Sequence, residues 1–245
     1  MKPQVLGFIP ARIGSKGIPR KNLVPLAGKP LVAWVCETAR RCRFLSDVIV
    51  STDSDEIIAV AQACGVRAPF LRPEALGEDT TLVIDVILHA LHWLKDHEGR
   101  EYEWVCLFQP SSPFGLPSDF DRAIELAVEK NADTVISVYK GDRIHPAYTM
   151  YSLEPDGRAC WYLGGAEINR MARRQDIQPV FVRSGTVYVF RTALLLDRRT
   201  LYGDTIYAID LPEERALDIN TPLDLKIAQC LAAEFAPGTS EEDHP

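Results

Sequence analysis

The chain has 245 residues, of which 47% are hydrophobic, and a formal net charge of −7. Its length suits one large α/β domain, and its acidic balance argues against a general nucleic-acid surface. No stretch approaches the ~18 apolar residues of a membrane span, residues 1–10 lack a signal-peptide pattern, and the six cysteines lack the spacing of a metal site. We therefore expect a cytoplasmic protein with reduced, mostly buried cysteines and with no membrane or nucleic-acid partner.

A short apolar run at residues 5–9 leads into a loop that is rich in glycine and positive charge. Gly14 and Gly17 are expected to let the backbone turn tightly and bring its N–H groups close to anionic oxygens. Pro10 and Pro19 stiffen both sides of the loop. Its positive charge comes from Arg12, Lys16, Arg20 and Lys21. The GxxxxGK[ST] and GxGxxG spacings are absent. We interpret the loop as a triphosphate cradle; the alternative is a solvated basic loop after an edge strand.

Predicted strands and helices alternate after this loop. Buried apolar runs predict strands at residues 47–53, 104–108, 134–138, 187–190 and 207–210. Apolar positions at helical spacing predict helices at residues 31–40, 55–64, 82–97, 118–130, 192–197 and 223–235. This alternation is typical of an α/β fold with a parallel sheet. Small polar residues follow the early strands, so they would gather at the edge where open α/β sheets bind ligands.

The long helix at residues 82–97 carries two further expectations. Asp79 and the two threonines after it are expected to cap the start of this helix. Three histidines fall at or near helical spacing along it: His89, His92 and His97. Because no cysteine or carboxylate accompanies them at metal-ligand spacing, we interpret them as surface or half-buried residues rather than a metal cluster.

The alternation breaks between residues 139 and 180. Aromatic residues there alternate with polar and turn residues, which favours a β excursion, and Arg170, Arg173 and Arg174 form a second basic cluster. We interpret the segment as a lid, a dimerising arm or both. The predicted organisation is a core at residues 1–138 and 181–235, an extension at residues 139–180 and a flexible polar tail at residues 236–245.

Short motifs of small, polar and basic residues occur along the whole chain. They are IPARIGSKGIPRKN at residues 9–22, STD at 51–53, FLRP at 70–73, QPSSP at 109–113, RQD at 174–176, SGTVY at 184–188 and DINT at 218–221. In this order they resemble the acylneuraminate cytidylyltransferases, also called CMP-sialic acid synthetases. The resemblance covers about residues 4–232. The related CMP-Kdo synthetases share the general plan but are less similar in the opening loop and the Arg-Gln segment.

The resemblance implies both a fold and a reaction. The fold is that of the nucleotide-diphosphosugar transferases, a Rossmann-like α/β fold whose mixed, mostly parallel sheet is flanked by helices, with a small β-rich extension exchanged across a homodimer. The reaction joins CTP and a nonulosonic acid to give a CMP-sugar and pyrophosphate. The anomeric hydroxyl of the sugar attacks the α-phosphorus in line, and Mg²⁺ is the implied cofactor.

The resemblance also assigns roles to individual positions of this sequence. The triphosphate loop is matched by Arg12, Ser15, Lys16 and Lys21, with catalytic roles for Arg12, Lys16 and Lys21. Nucleotide contacts are matched by Asn22 and Arg72. Sugar contacts are matched by Gln109, Arg174 and Tyr188, with Arg174 pairing the sugar carboxylate and Arg173 as an adjacent competitor. Asp218 matches a Mg²⁺ ligand. Asp218 could instead cap the last helix, although Asn220 and Thr221 could do so in its place.

Three departures from the family pattern leave alternatives open. Ile13 stands where the family often has a small or polar residue, Asn220 replaces a second aspartate, and the SGT sequence at residues 184–186 replaces Asn-Gly-Ala. The identity of the sugar is therefore open, and a CMP-Kdo synthetase-like or other sugar nucleotidyltransferase is an alternative. A third alternative is a non-catalytic nucleotide-binding relative, for which Asn220 is the main argument.

Overall fold

The computed structural model describes residues 3–141, 150–162 and 180–235. Its strands are β1 (Val5–Pro10), β2 (Pro25–Leu26), β3 (Lys29–Pro30), β4 (Asp47–Ser51), β5 (Trp104–Leu107), β6 (Thr134–Lys140), β7 (Tyr151–Leu153), β8 (Ala159–Trp161), β9 (Phe181–Arg191) and β10 (Ile206–Asp210). Its helices are α1 (Leu31–Arg41), α2 (Asp55–Ala63), α3 (Val83–Glu98), α4 (Pro117–Glu129), α5 (Thr192–Arg198) and α6 (Pro222–Leu231). Every predicted helix and strand is present. The largest differences are that β9 begins at Phe181 and that α6 ends at Leu231.

The described residues form a central sheet of six strands in the order β10-β6-β9-β5-β1-β4. β1 is parallel to both β4 and β5, and β10 is parallel to β6. β9 runs antiparallel between β5 and β6. The sheet is therefore mixed and mostly parallel, and β1, β4 and β5 direct their carboxyl ends to one edge.

Helices cover both faces of this sheet. Successive side chains of β1 point to opposite faces, and because they are apolar on both faces, both must be buried against helices. Val5 and Ile9 pack in one core cluster with α1, α2 and α4. Leu6 and Phe8 pack in a second cluster with α3 and α5. A third cluster around Trp34 joins α1 to α6. Each fully buried aliphatic or aromatic side chain contributes roughly 1.5–3 kcal/mol, so these layers hold the strand ends firmly in place.

The cap predicted for the start of α3 is wrong. Leu82 occupies the N-cap position and its side chain accepts no capping hydrogen bond. The Asp79 carboxylate is used elsewhere, in ion pairs with two cations of the opening loop. On α3 itself, His89 packs edge-on against Phe70 with a centroid distance of 4.9 Å, and His97 stacks on Trp93 at 4.5 Å.

The extension is described in part. β7 and β8 form an antiparallel hairpin within the segment where a β excursion is predicted, and β6 and β9 pair as far as Lys140 and Phe181. The division into core, extension and tail stays a prediction. The predicted basic cluster and tail lie outside the described residues: Arg170, Arg173, Arg174 and residues 236–245. Among the helices that the structure describes, none has the length and apolar character needed to cross a membrane.

Candidate active site

A cavity of about 350 Å³ opens at the edge where β1 and β5 end. Its walls come from the loop after β1, the segment after β5 and the stretch between α2 and α3. The predicted site residues that line it are Arg12, Ser15, Lys21, Asn22, Arg72 and Gln109. The fold thus brings together side chains from distant parts of the chain at the edge that the strand pattern predicts.

The front of the loop after β1 is fixed by hydrogen bonds to its backbone. The Ile13 N–H donates to Asp53 Oδ1 at 2.8 Å, and the buried Asn22 amide donates from Nδ2 to the Arg12 carbonyl at 2.7 Å. The Ile13 side chain packs against the core cluster on the α1 face. The apolar residue in this polar loop is therefore an anchor that ties the loop to the core.

The back of the loop is set by a close approach at Gly17. A Cβ atom at this position would lie 2.2 Å from the backbone oxygen of Asn220, whereas a Cβ at Gly14 would meet no atom within 4 Å. Neither residue has a positive φ. Gly17 is therefore required for packing against the segment before α6, and the tight left-handed turn that a glycine could supply is not used.

Two cations of the loop share one carboxylate. Arg12 Nη2 lies 2.6 Å from Asp79 Oδ1, and Lys16 Nζ lies 3.1 Å from Asp79 Oδ2. These cations hold the pKa of Asp79 below its ordinary value, and the hydrogen bond from Lys16 is the largest cause. Lys16 is mostly exposed and is not among the residues that line the cavity, although its partner Asp79 is.

Lys21 points toward the segment before α6. Its Nζ donates to the Ile219 carbonyl at 2.8 Å and to Asn220 Oδ1 at 3.1 Å. Burial lowers the pKa of Lys21, although nearby Asp218 acts in the opposite direction. A half-buried cation beside a cavity is placed to bind an anion there.

Arg20 does not join the other cations of the loop. Its guanidinium forms an ion pair with Glu56 of α2, in a separate surface groove. The prediction that all the cations of the loop form one cradle is wrong for Arg20. Its backbone adopts a left-handed conformation with φ 54°, and the chain there turns into a short 3₁₀ helix over Lys21–Leu23.

Arg72 is the most deeply buried cation that lines the cavity. The residue is 4% exposed, and its Nε and Nη2 atoms have no hydrogen-bond partner in the structure. Asp53 Oδ1 lies 3.7 Å from Nη2, which makes a long ion pair. Burial lowers the pKa of Arg72. Because buried donors are almost always paired in native proteins, these nitrogens make Arg72 a candidate for ligand binding.

Asp218 lies beside this cavity and is not a helix cap. Ser112 Oγ donates to its Oδ1 at 3.3 Å, and Asn220 Nδ2 donates to its Oδ2 at 2.8 Å. The cap of α6 is Thr221, which forms a capping box with Asp224. Asp218 is thereby left as a carboxylate near the Lys21 ammonium, although it is not among the residues that line the cavity.

Comparison with known proteins agrees with this geometry. Residues 6–202 match the model of the family described as cytidylyltransferase. The chain belongs to the cytidylyltransferase family. It is therefore a nucleotidyltransferase, and its cavity is the candidate active site of an enzyme of this family.

The similar proteins span nearly the whole chain. A CMP-N,N'-diacetyllegionaminic acid synthase of Legionella pneumophila is 28% identical and covers 93% of this chain and 96% of its own length. A pseudaminic acid cytidylyltransferase of Campylobacter jejuni is 27% identical, with 92% and 95% coverage. A solved CMP:2-keto-3-deoxy-manno-octonic acid synthetase complexed with CTP is 18% identical, with 94% and 99% coverage and a TM-score of 0.68. This last likeness shows the shared fold.

The three residues predicted to contact the sugar do not all lie at the cavity in the described structure. Gln109 lines the cavity. Tyr188 is buried on β9 opposite Leu107 and packs in the core cluster on the α3 face, where burial raises its pKa. Arg174 lies outside the described residues. Of these three predicted contacts, only Gln109 is shown to face the cavity.

Sequence reasoning assigned no role in this site to Asp53 or Asp79. Asp53 directly follows β4, so the rule that ligand-binding polar groups collect at strand ends could have found it. Asp79 gives no such signal because its partners, Arg12 and Lys16, lie in a loop far away along the chain. Only the tertiary structure brings it to the loop.

Proposed function

We propose that this enzyme transfers CMP from CTP to a nonulosonic acid and releases pyrophosphate. The relatives named above are a legionaminic acid synthase and a pseudaminic acid cytidylyltransferase. The observation that carries the proposal is the group of cations Arg12, Lys21 and Arg72, which line one cavity although they come from distant parts of the chain. Several cations around one cavity supply the charge that a nucleoside triphosphate requires.

The reaction requires two anions to be held together. The anomeric hydroxyl of the sugar attacks the α-phosphorus in line, and the bond to the pyrophosphate leaving group breaks. Arg12, Ser15, Lys16 and Lys21 bind the triphosphate and offset the charge that develops on pyrophosphate. Asn22 and Arg72 bind the nucleoside part. Gln109, Arg174 and Tyr188 bind the sugar acid, and the Arg174 guanidinium pairs with its carboxylate.

Mg²⁺ is part of this proposal, and the residues present fit it. Asp218 supplies one carboxylate, and Mg²⁺ is commonly held by one or two carboxylates together with substrate phosphate oxygens. The described residues contain no group of three or more His, Cys, Asp or Glu side chains that could hold a metal by themselves. Binding would therefore depend on CTP. When bound, Mg²⁺ neutralises negative charge on the phosphate oxygens.

We also propose that the enzyme acts as a homodimer. Large apolar side chains are exposed around the β7–β8 hairpin and the start of β9, among them Leu153 at 74%, Tyr162 at 65% and Phe181 at 53%. Large apolar side chains that stay exposed are typical of an interaction surface. Light scattering coupled to size exclusion is expected to give twice the mass of one chain.

The proposed activity is tested by pyrophosphate release. The purified protein is incubated with CTP, millimolar Mg²⁺ and, in turn, N-acetylneuraminic, legionaminic, pseudaminic, Kdn and Kdo acids. We expect release with at least one of the nonulosonic acids. Release with Kdo alone would favour the CMP-Kdo alternative, and CTP binding without turnover would favour a non-catalytic relative. No release across the panel contradicts the proposal.

A matched pair of lysine variants connects the activity to this cavity. Lys21→Ala removes a half-buried ammonium beside the site and is expected to lower kcat/KM about 10²- to 10³-fold, as deletion of a positioned electrostatic group does. Lys226→Ala removes an exposed charge on α6 and is expected to leave kcat/KM unchanged. Equal turnover of the two variants would show that the loop is not the triphosphate cradle.

A further inference from the structure

Asp79 occupies the cations that an incoming polyphosphate needs. Its carboxylate contacts Arg12 Nη2 at 2.6 Å and Lys16 Nζ at 3.1 Å. The Gly77 carbonyl accepts a further hydrogen bond from Arg12 Nη1 at 3.3 Å. Segment 77–79 thus lies along the loop, where the Asp79 carboxylate and the Gly77 carbonyl bind the Arg12 guanidinium and the carboxylate also binds the Lys16 ammonium.

The ion pairs of Asp79 with Arg12 and Lys16 are accessible to solvent, so another anion can replace the carboxylate. The side chains of Arg12 and Asp79 are 31% and 33% exposed, and that of Lys16 is 79% exposed. Ion pairs at such exposure are weak because water screens them. A guanidinium binds carboxylates and phosphates through the same N–H groups, so a phosphate group would compete with Asp79 for Nη2 of Arg12.

We propose that Asp79 is an intramolecular competitor at the phosphate site: it neutralises Arg12 and Lys16 in the empty enzyme and is displaced by an incoming polyphosphate. A polyphosphate replaces both contacts and adds contacts to Lys21, the other cation of the loop that lines the cavity. Asp79 thereby lowers the affinity for the triphosphate. The inference rests on the proposed function only in naming the triphosphate as that of CTP.

Calorimetric titration with inorganic tripolyphosphate tests this role without CTP, sugar or turnover. Asp79→Asn keeps the shape of the side chain and removes its charge, and it is expected to bind tripolyphosphate about 3- to 10-fold more tightly than the parent enzyme. Glu74→Gln is the matched control. It removes one charge from an exposed residue of the same stretch, which does not line the cavity and forms no ion pair in the described part of the chain, and it is expected to change the affinity less than twofold.

A double variant shows whether the effect passes through Arg12. The tighter binding caused by Asp79→Asn is expected to shrink to less than twofold when Arg12→Ala is already present. Thermal unfolding verifies the fold of each variant, and Asp79→Ser replaces Asp79→Asn if the asparagine variant does not fold. Unchanged or weaker binding by the folded Asp79 variant overturns the proposal, as does equal tightening by Glu74→Gln. A parent enzyme that binds tripolyphosphate but not CTP would contradict the proposed function and leave this role of Asp79 standing.

Discussion

Arg72 is a single residue whose burial lowers the stability of the protein without ligand and favours ligand binding. Its guanidinium is buried with two nitrogens unpaired, and Asp53 is too distant at 3.7 Å for a hydrogen bond. Leaving a buried polar group unpaired costs about 1–3 kcal/mol, and more for a charged group. A ligand that pairs these nitrogens therefore recovers energy that folding has lost.

This reasoning predicts opposite effects of Arg72→Met on stability and on binding. Methionine fills a similar volume and needs no hydrogen bonds, so the melting temperature is expected to stay equal or to rise. The affinity for CTP is expected to fall about 10- to 100-fold, because a hydrogen bond to a charged group contributes about 1.5–3 kcal/mol. Differential scanning fluorimetry and calorimetric titration with CTP measure the two quantities.

The control for this prediction is Arg41→Met, which removes an exposed arginine at the end of α1. It is expected to change neither the melting temperature nor the affinity for CTP. A large loss of stability in Arg72→Met with unchanged CTP affinity would show that Arg72 is a structural residue with no role in binding.

At the scale of elements, the loop after β1 is held at both ends by segments distant in the chain. Asp53, after β4, holds its front through the Ile13 N–H. The segment before α6 holds its back, where Gly17 approaches the Asn220 backbone oxygen. The same segment is tied to the end of β5 by the Ile219 N–H, which donates to the Ser111 carbonyl at 2.7 Å. The segments after β1, β4 and β5 and the segment before α6 are thus connected by backbone contacts and hydrogen bonds.

Gly17→Ala is expected to disturb these contacts. The added methyl group would stand 2.2 Å from a backbone oxygen, which cannot move aside as a flexible side chain can. Overpacking of this kind costs about 1–3 kcal/mol, and the displaced loop is expected to bind CTP at least tenfold more weakly. Chemical denaturation gives the free energy of unfolding, and titration gives the affinity.

Gly14→Ala serves as the comparison for stability because its methyl group would meet no atom within 4 Å. We expect its free energy of unfolding to match that of the parent enzyme. If Gly17→Ala proves as stable and as active as the parent enzyme, the close approach of the loop to the segment before α6 is not needed for the site.

At the scale of the whole molecule, a charge network stabilises the sheet at the edge opposite the cavity. Asp47, the first residue of β4, accepts hydrogen bonds from Arg67 at 3.2 Å, Arg100 at 2.8 Å and Tyr102 at 2.8 Å. Glu98 also pairs with Arg67. Burial alone would raise the pKa of Asp47, but the hydrogen bonds from Arg67 and Tyr102 and the nearby guanidinium charges hold it below its ordinary value.

The network predicts a pH dependence of stability that is separate from function. A carboxyl group whose pKa is lowered by folding stabilises the protein above its unfolded pKa of about 3.9 and loses this contribution as the pH falls through its lower folded value. Asp47→Asn is expected to reduce the free energy of unfolding at pH 7 by about 1–3 kcal/mol. The difference from the parent enzyme should shrink as the pH falls below about 4.

Urea denaturation between pH 2 and pH 7 measures this difference, with CTP titration at pH 7 as the control. The CTP affinity of Asp47→Asn is expected to match that of the parent enzyme, because Asp47 lies at the amino end of β4 and the cavity lies at the carboxyl ends of the strands. A constant difference in stability across this pH range would contradict the role given to Asp47.

The sequence by itself determined the helices and strands and the edge of the sheet that carries the cavity. Apolar spacing is a local property, so β1, α1 and β5 could be located from their own residues. The strand-end rule and the motifs placed Arg12, Arg72 and Gln109 at one site, and the structure brings all three to one cavity. Family membership was readable for the same reason, since the motifs lie along the chain in order.

Only the tertiary structure decided which charged groups meet. Arg12 and Lys16 pair with Asp79, whereas Arg20 turns to Glu56 on α2. The sequence of the loop does not show which of its cations will point to the same site. The residues around Asp79 predict a helix cap and give no sign of its ion pairs. Such partners are separated by many residues and are brought together by the packing of whole elements, so no local pattern in the sequence records them.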